Sequence, residues 1–472
     1  MENKDFRLES DSIGERQLPK DALYGVQTLR GYENFRITNQ TLHPSMVLAL
    51  AQIKKACAIS NYNAGVMKEN VKDAIVYACD EIISGKYHEA FITDPVQGGA
   101  GTTANMNANE VIANIASIKL GENCGEYKTV HPNDHVNMGQ STNDVYPTAG
   151  KLGAIHLLKP MLEELKLLIK SFENKSKEFD SVLKMGRTQL QDAVPIRLGQ
   201  EFNAYKNALS RDIKRIEYAE DGIKHVNMGA SAIGTGINVD TNYLKNIVSD
   251  LNKVTGYDLV QCEDLIDGTQ NLDALVFLHS ALKTLSVSLS KISNDLRLMS
   301  SGPRTGIGEI NLPAKQNGSS IMPGKVNPVI PEVVSQVAFL VMGNDLTVTK
   351  CAEAGQLELN AFEPVLFKSL YESIEALTGA MNTLRINCVD GIEANVERCK
   401  MLLDSSVGMI TALVPHIGYK NSASIAKEAL KTGVSVKELL LRDNILSEDQ
   451  INEILEPMEL TMPGIAAKHL LK

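Results

Sequence analysis

Apolar residues recur along this chain at alternating intervals of three and four. The longest run is Leu275, Leu278, Leu282, Leu285, Leu289, Ile292, Leu296 and Met299. That rhythm keeps one stripe of a helix facing a partner over about seven turns. Leu158, Leu162, Leu165, Ile169 and Phe172 repeat it. A third apolar segment follows Pro331 through Val333, Val334, Val337, Leu340 and Val341. Alternation at period two, the mark of a half-buried strand, is scarce by comparison. The three stripes predict a mainly α protein with each stripe in the core of a bundle. Helices of about 30 residues exceed the usual globular length. Long bundles with residual apolar faces associate further, so a homo-oligomer is expected.

A polar motif at 137–145 precedes the first long helix, and a chain reversal is expected at Asn387–Gly391. These breaks divide the chain into a mainly helical N-terminal domain (1–141), a central long-helix bundle (142–393) and a small helical C-terminal domain (394–472). The 472 residues are enough for two or three domains and a large core. A charged content of 22% is ordinary, and the net charge of −10, with no basic block, argues against nucleic acid. The start, Met-Glu-Asn-Lys-Asp-Phe-Arg, lacks the apolar core of a secretory signal. No apolar run approaches the ~20 residues of a spanning helix, so no membrane partner is expected. Seven scattered cysteines without a CxxC pair fit reduced thiols and a cytoplasmic protein.

Chemistry concentrates in Gly318-Ser319-Ser320-Ile321-Met322-Pro323-Gly324-Lys325-Val326-Asn327-Pro328. Two hydroxyls, a lysine and an amide share a segment with two glycines, Gly318 and Gly324, that let a loop move. A serine beside a cation suits abstraction of a proton next to a carboxylate, with the lysine and amide holding that carboxylate. Three other clusters set Ser/Thr beside glycine at expected helix starts: Gly98–Asn107, Asn137–Asp144 and Gly186–Asp192. Helix N-termini offer N–H donors and partial positive charge, hence anion sites with little formal charge. Each hydroxyl also suits simple capping of its own helix. A phosphate loop fails on spacing, since five residues separate Gly318 from Gly324-Lys325 and Val326 follows. His131 and His135 are four apart, but the Pro-Asn-Asp between them argues against a helix, and they read as surface or structural residues. No histidine spacing indicates a metal.

The Gly318–Pro328 segment resembles the signature of the fumarase/aspartase superfamily. The other clusters resemble its remaining regions in the same order, from Arg7-Leu8-Glu9-Ser10-Asp11 to His416-Ile417-Gly418-Tyr419. Tyr24-Gly25-Val26-Gln27-Thr28-Leu29-Arg30, Glu353–Asn360 and Thr461-Met462-Pro463-Gly464 are similar to the ammonia-lyase branch rather than to class II fumarases. Fumarases carry a histidine where this chain has Gln189, paired with the glutamate matching Glu332. Hydroxide needs a proton donor to leave, and Gln189 cannot titrate, whereas an ammonium group already carries its proton. Some aspartases keep the histidine, so the difference discriminates in one direction only. Glu332 is given no catalytic role.

The resemblance implies a three-domain fold with a central five-helix bundle. It implies reversible conversion of L-aspartate to fumarate and ammonia through an aci-carboxylate. By position, Ser319 matches the base. Thr102, Ser141, Thr142 and Ser320 match donors to the β-carboxylate. Thr188, Lys325 and Asn327 match groups on the α-carboxylate, and Asn143, with Gln189 near it, faces the ammonium. Gly318 and Gly324 would let the loop close. A homotetramer with active sites shared between subunits is implied. No organic cofactor is implied; magnesium or a similar cation activates some relatives, without a ligand set here. Class II fumarase, a lyase of methylaspartate or an adduct, and a non-enzymatic lens-type protein are the alternatives.

Overall fold

The computed structural model describes residues 5–471. The first four residues of the charged N-terminal stretch lie outside that range. The chain is mainly helical. Its first helices are α1 (Val26–Asn34), α2 (Pro44–Asn63), α3 (Glu69–Ile83) and α4 (Thr102–Lys119). After α5 (Thr142–Glu178) and α6 (Leu198–Ile223) come α7 (Thr241–Thr255) and α8 (Leu265–Gln270). The remaining long helices are α9 (Asp273–Met299), α10 (Val329–Glu353) and α11 (Glu363–Asn387). A 3-10 turn at Val389–Gly391 follows the end of α11. Short helices from Val414 onward pack on their own apolar cluster around Leu413, Leu439, Leu440 and Ile451. The strands among the described residues form two-stranded pairs only.

The chain divides into two compact units. One holds Met1–Glu163, Asp212–Ser286 and Val337–Thr378; the other holds Glu164–Arg211, Val287–Gln336 and Gly379–Lys472. In the first unit, close helix packing is set by small residues. Gly150 on α5 faces the Phe367 ring of α11, and a Cβ there would lie 2.1 Å from it. Tyr371 of α11 donates to Gly150 O at 2.8 Å. His279 on α9 joins Asp345 of α10 and Ser373 of α11 at 3.1 and 2.9 Å. In the second unit, the Phe172 ring of α5 packs tilted against Phe202 and edge-on against Tyr205 of α6, and Tyr205 donates to Asp295 of α9. Glu164 of α5 accepts from Arg385 of α11 at 2.6 Å.

The stripe from Leu275 to Met299 is buried at every position, as its period requires. The segment after Pro331 differs. Val334 and Val341 are buried, but Val333, Phe339, Leu340 and Leu346 are exposed. Only part of that helix is core of this chain, because its apolar residues span more of its circumference than one neighbour covers. Both α9 and α10 are long and apolar enough to cross a membrane by length and composition, unlike the expectation of no such run; α9 is half buried within the protein.

The entry helix α1 has no capping side chain of its own. Two buried carboxylates serve it instead. Glu110 accepts from Gly25, Gln27 and Thr28 N–H groups, and Glu9 accepts from Val26 N–H. Negative charge at a helix N-terminus satisfies orphan donors and opposes the dipole. Close approach is essential, since a Cβ on Gly25 would fall 2.6 Å from the Glu110 carboxyl carbon.

Candidate active site

In the first unit, the Gly98–Gly101 loop turns sharply into α4. Ala100 and Gly101 have φ of +54° and +89°, and a Cβ on Gly101 would strike the Tyr146 ring at 2.3 Å. Thr102 is exposed and donates back to Gly99 O at 2.7 Å. It lines a cavity of about 780 Å³ that also includes Asp11, Arg30, Glu110 and His131. At the start of α5, Ser141 Oγ accepts from Asn143 N–H at 3.2 Å. Buried Thr142 Oγ1 accepts from Asn105 Nδ2 at 3.2 Å, and Asn143 Nδ2 donates to Ala232 O at 2.7 Å. These two clusters stand at helix starts, as expected.

Groups that the sequence reading passed over hold this turn from behind. Asp144 is fully buried and accepts from the N–H groups of Ser141, Gly229 and Ser231 at 2.9, 3.1 and 3.2 Å. Burial pushes its carboxyl up to about 6, against the pull of those three bonds. Lys54 is also fully buried and donates to Asn137 Oδ1 and Gln140 Oε1 at 2.9 and 2.8 Å. Burial lowers its ammonium to about 8. Asn137 Oδ1 further accepts from Asn105 and Asn109. The available signal was Asn105 and Asn109, four apart on an otherwise apolar helix face.

In the second unit, Thr188 and Gln189 are exposed, and they are not at a helix start. Leu183–Thr188 pairs antiparallel with Gln191–Arg197, with Thr188 opposite Gln191. Gln189 and Leu190 form the tight turn at φ +53° and +64°. That hairpin corrects the expected helix. Its turn carries none of the Asn-Gly or Asp-Gly chemistry that marks such a reversal in sequence.

The Gly318–Pro328 loop closes on itself. Gly318 N–H donates to Lys325 O at 2.8 Å, and Asn327 Nδ2 donates to Gly318 O at 2.7 Å. A Cβ on Gly318 would lie 2.5 Å from Lys325 O, so close approach demands glycine there. Gly324 has φ +81° with open space around it. Ser319 Oγ accepts from the N–H groups of Ile321 and Met322 at 3.1 and 3.0 Å. Ser320 and Lys325 are exposed. The candidate residues thus form a helix-start group (Thr102, Ser141, Thr142, Asn143) in one unit. The hairpin and loop groups (Thr188, Gln189, Gly318, Ser319, Ser320, Gly324, Lys325, Asn327) lie in the other. His131 caps, and His135 lies within, a one-turn π-type helix at Pro132–Val136, which the intervening Pro-Asn-Asp was expected to prevent; proline suits its first position.

Residues 14–343 match a family model described as lyase, and residues 409–462 match the C-terminus of fumarase C. Aspartate ammonia-lyases from a Bacillus species and from Escherichia coli K12 are 51% and 47% identical. The alignments cover 99% of this chain, and 100% and 98% of those proteins. The chain belongs to the fumarase/aspartase superfamily of lyases. A solved fumarate lyase:delta crystallin from Brucella melitensis, bound to cobalt, superposes with a TM-score of 0.95 at 50% identity, covering 97% of this chain and all of that one. A class II fumarase from Schistosoma mansoni gives 0.94 at 36%, covering 97% and 99%. The mainly helical fumarase-like fold follows. Glu332 faces Arg297 at 3.8 Å as a half-exposed ion pair.

Proposed function

We propose that this protein is an aspartate ammonia-lyase, eliminating ammonia reversibly from L-aspartate to give fumarate. The observation that carries the mechanism is the pair of loop N–H groups on Ser319 Oγ. A serine hydroxyl is a weak base until its alkoxide is stabilised. Two fixed N–H donors, with Lys325 in the same short loop, supply that stabilisation. Ser319 takes the Cβ proton, and the electron pair moves into the β-carboxylate as an aci-carboxylate. Ser141, Thr142 and Ser320 donate to it, joined by Thr102 once its hydroxyl turns from Gly99 O; one preorganised donor is worth about 3–4 kcal/mol. Thr188, Lys325 and Asn327 hold the α-carboxylate. Asn143 commits its amide nitrogen to Ala232 O, which presents its carbonyl side to the substrate ammonium. The ammonium leaves with its own proton, so Gln189 need not titrate.

The working assembly is a homotetramer in which several copies contribute to each site. Exposed Val333, Phe339, Leu340 and Leu346 on α10 support association. Activation by a divalent cation such as magnesium is compatible with this reading, but no group of three or more His, Cys, Asp or Glu among the described residues could hold one. Ultraviolet absorbance of fumarate should rise when aspartate is added to the purified protein, with ammonia released in equal amount. Fumarate formed from malate instead, with none from aspartate, would establish the fumarase reading.

A further inference from the structure

We infer that Glu309 and Arg187 are positioning residues: their buried ion pair sets the aim of the hairpin carrying Thr188 and Gln189. The inference rests on the proposed lyase reading. Lys184 and Arg187 are three apart on one strand, so a regular strand would turn them to opposite faces. The register shifts between Met185 and Arg187. Gly186 occupies that irregularity, where a Cβ would come within 2.7 Å of Val194 O. A bulge re-aims the side chains that follow it. Here both cations meet one carboxylate. Glu309, fully buried, has Oε2 3.0 Å from Lys184 Nζ and Oε1 2.8 Å from Arg187 Nη1. Glu201 takes Lys184 with both oxygens at 2.8 and 3.0 Å. Two cations and two carboxylates balance.

Glu309 is itself fixed by its backbone. Its N–H donates to Met299 O and its carbonyl accepts from Asn395 N–H, both at 2.9 Å. Ile310–Asn311 follows at once as a strand paired with Glu393–Ala394, and the chain then runs on to the Ser319 loop. Arg187 immediately precedes Thr188. The cluster therefore ties the α-carboxylate hairpin to the segment that leads into the base. Buried ion pairs add little net stability over apolar packing of the same shape. Geometric specification is what this one supplies.

Steady-state kinetics with aspartate test the idea on E309Q, T188V and the double variant. E309Q should raise KM on the order of tenfold to a hundredfold, as small misplacements do, with kcat changed far less. The double variant should be no worse than T188V alone, because Glu309 acts through Thr188. Multiplying effects, or a lower melting temperature with KM intact, would overturn the inference. E309Q leaves a cation without its partner, so K184M/E309Q, which keeps the cluster neutral, replaces it should the single variant not fold. Failure of both to fold would assign the cluster a structural role and also overturn the inference. Wild-type protein that releases no ammonia from aspartate would instead refute the function on which it rests.

Discussion

The turn at Ser141–Asp144 and the loop at Gly318–Pro328 use the same residue types and are built in opposite ways. The turn sits on buried chemistry: Asp144 takes three backbone N–H groups, and Thr142 rests on Asn105. The loop has no such floor. It is largely exposed and is held at its base by two hydrogen bonds between its own ends. Rigid donors suit a carboxylate whose charge grows during reaction, since they need no reorganisation. A base that must admit substrate and then exclude water suits a loop that can move. The difference lies in what stands behind each hydroxyl: a buried carboxylate beneath the turn, and only end-to-end bonds within the loop itself.

The sharpest break in that comparison is Ser319→Ala. It should lower kcat at least ~10³-fold, the range of a lost general base, while light scattering shows the oligomer intact. Near-normal turnover would remove Ser319 from the mechanism. Asp144→Asn should act on the turn at Ser141–Asp144. An amide offers one accepting oxygen to three donors, so unfolding measurements should show a loss of about 1–3 kcal/mol. It should also change the pH dependence. Burial raises the Asp144 carboxyl above its unfolded value, to about 6. Its contribution to stability is therefore full below about pH 4 and is lost as pH rises through 6. The variant should lack that slope, and an unchanged slope would place the titration elsewhere. Gly324→Ala is the smallest. Open space surrounds the site, so only the left-handed backbone resists it, at about 1–2 kcal/mol. Slower loop closure should lower kcat a few-fold, visible as a change in a viscosity-dependent rate.

Legibility followed the range of the forces involved. The Leu275–Met299 stripe reads out of the sequence because helical period alone places it on one face. The Gly186–Asp192 cluster did not. Its glycine and hydroxyl look like a helix start, but Gln189 and Leu190 take left-handed conformations that only the surrounding hairpin enforces. The apolar residues of α10 look like core, yet four of them are exposed in the single chain. Asp144 and Lys54 were overlooked because their partners are backbone groups and amides far away in sequence.

Local spacing and the Gly318–Pro328 segment determined the helical class and the superfamily, since each depends on neighbours within about ten residues. Tertiary structure decided what supports each hydroxyl. It put Glu110 at the start of α1, Asp144 under the Ser141 turn, and Glu309 between Lys184 and Arg187. Buried charge must find its partner wherever the folded chain brings one, because an unpaired ion in a low-dielectric interior is too costly to keep. That requirement acts through space, and no period or motif in the chain records it.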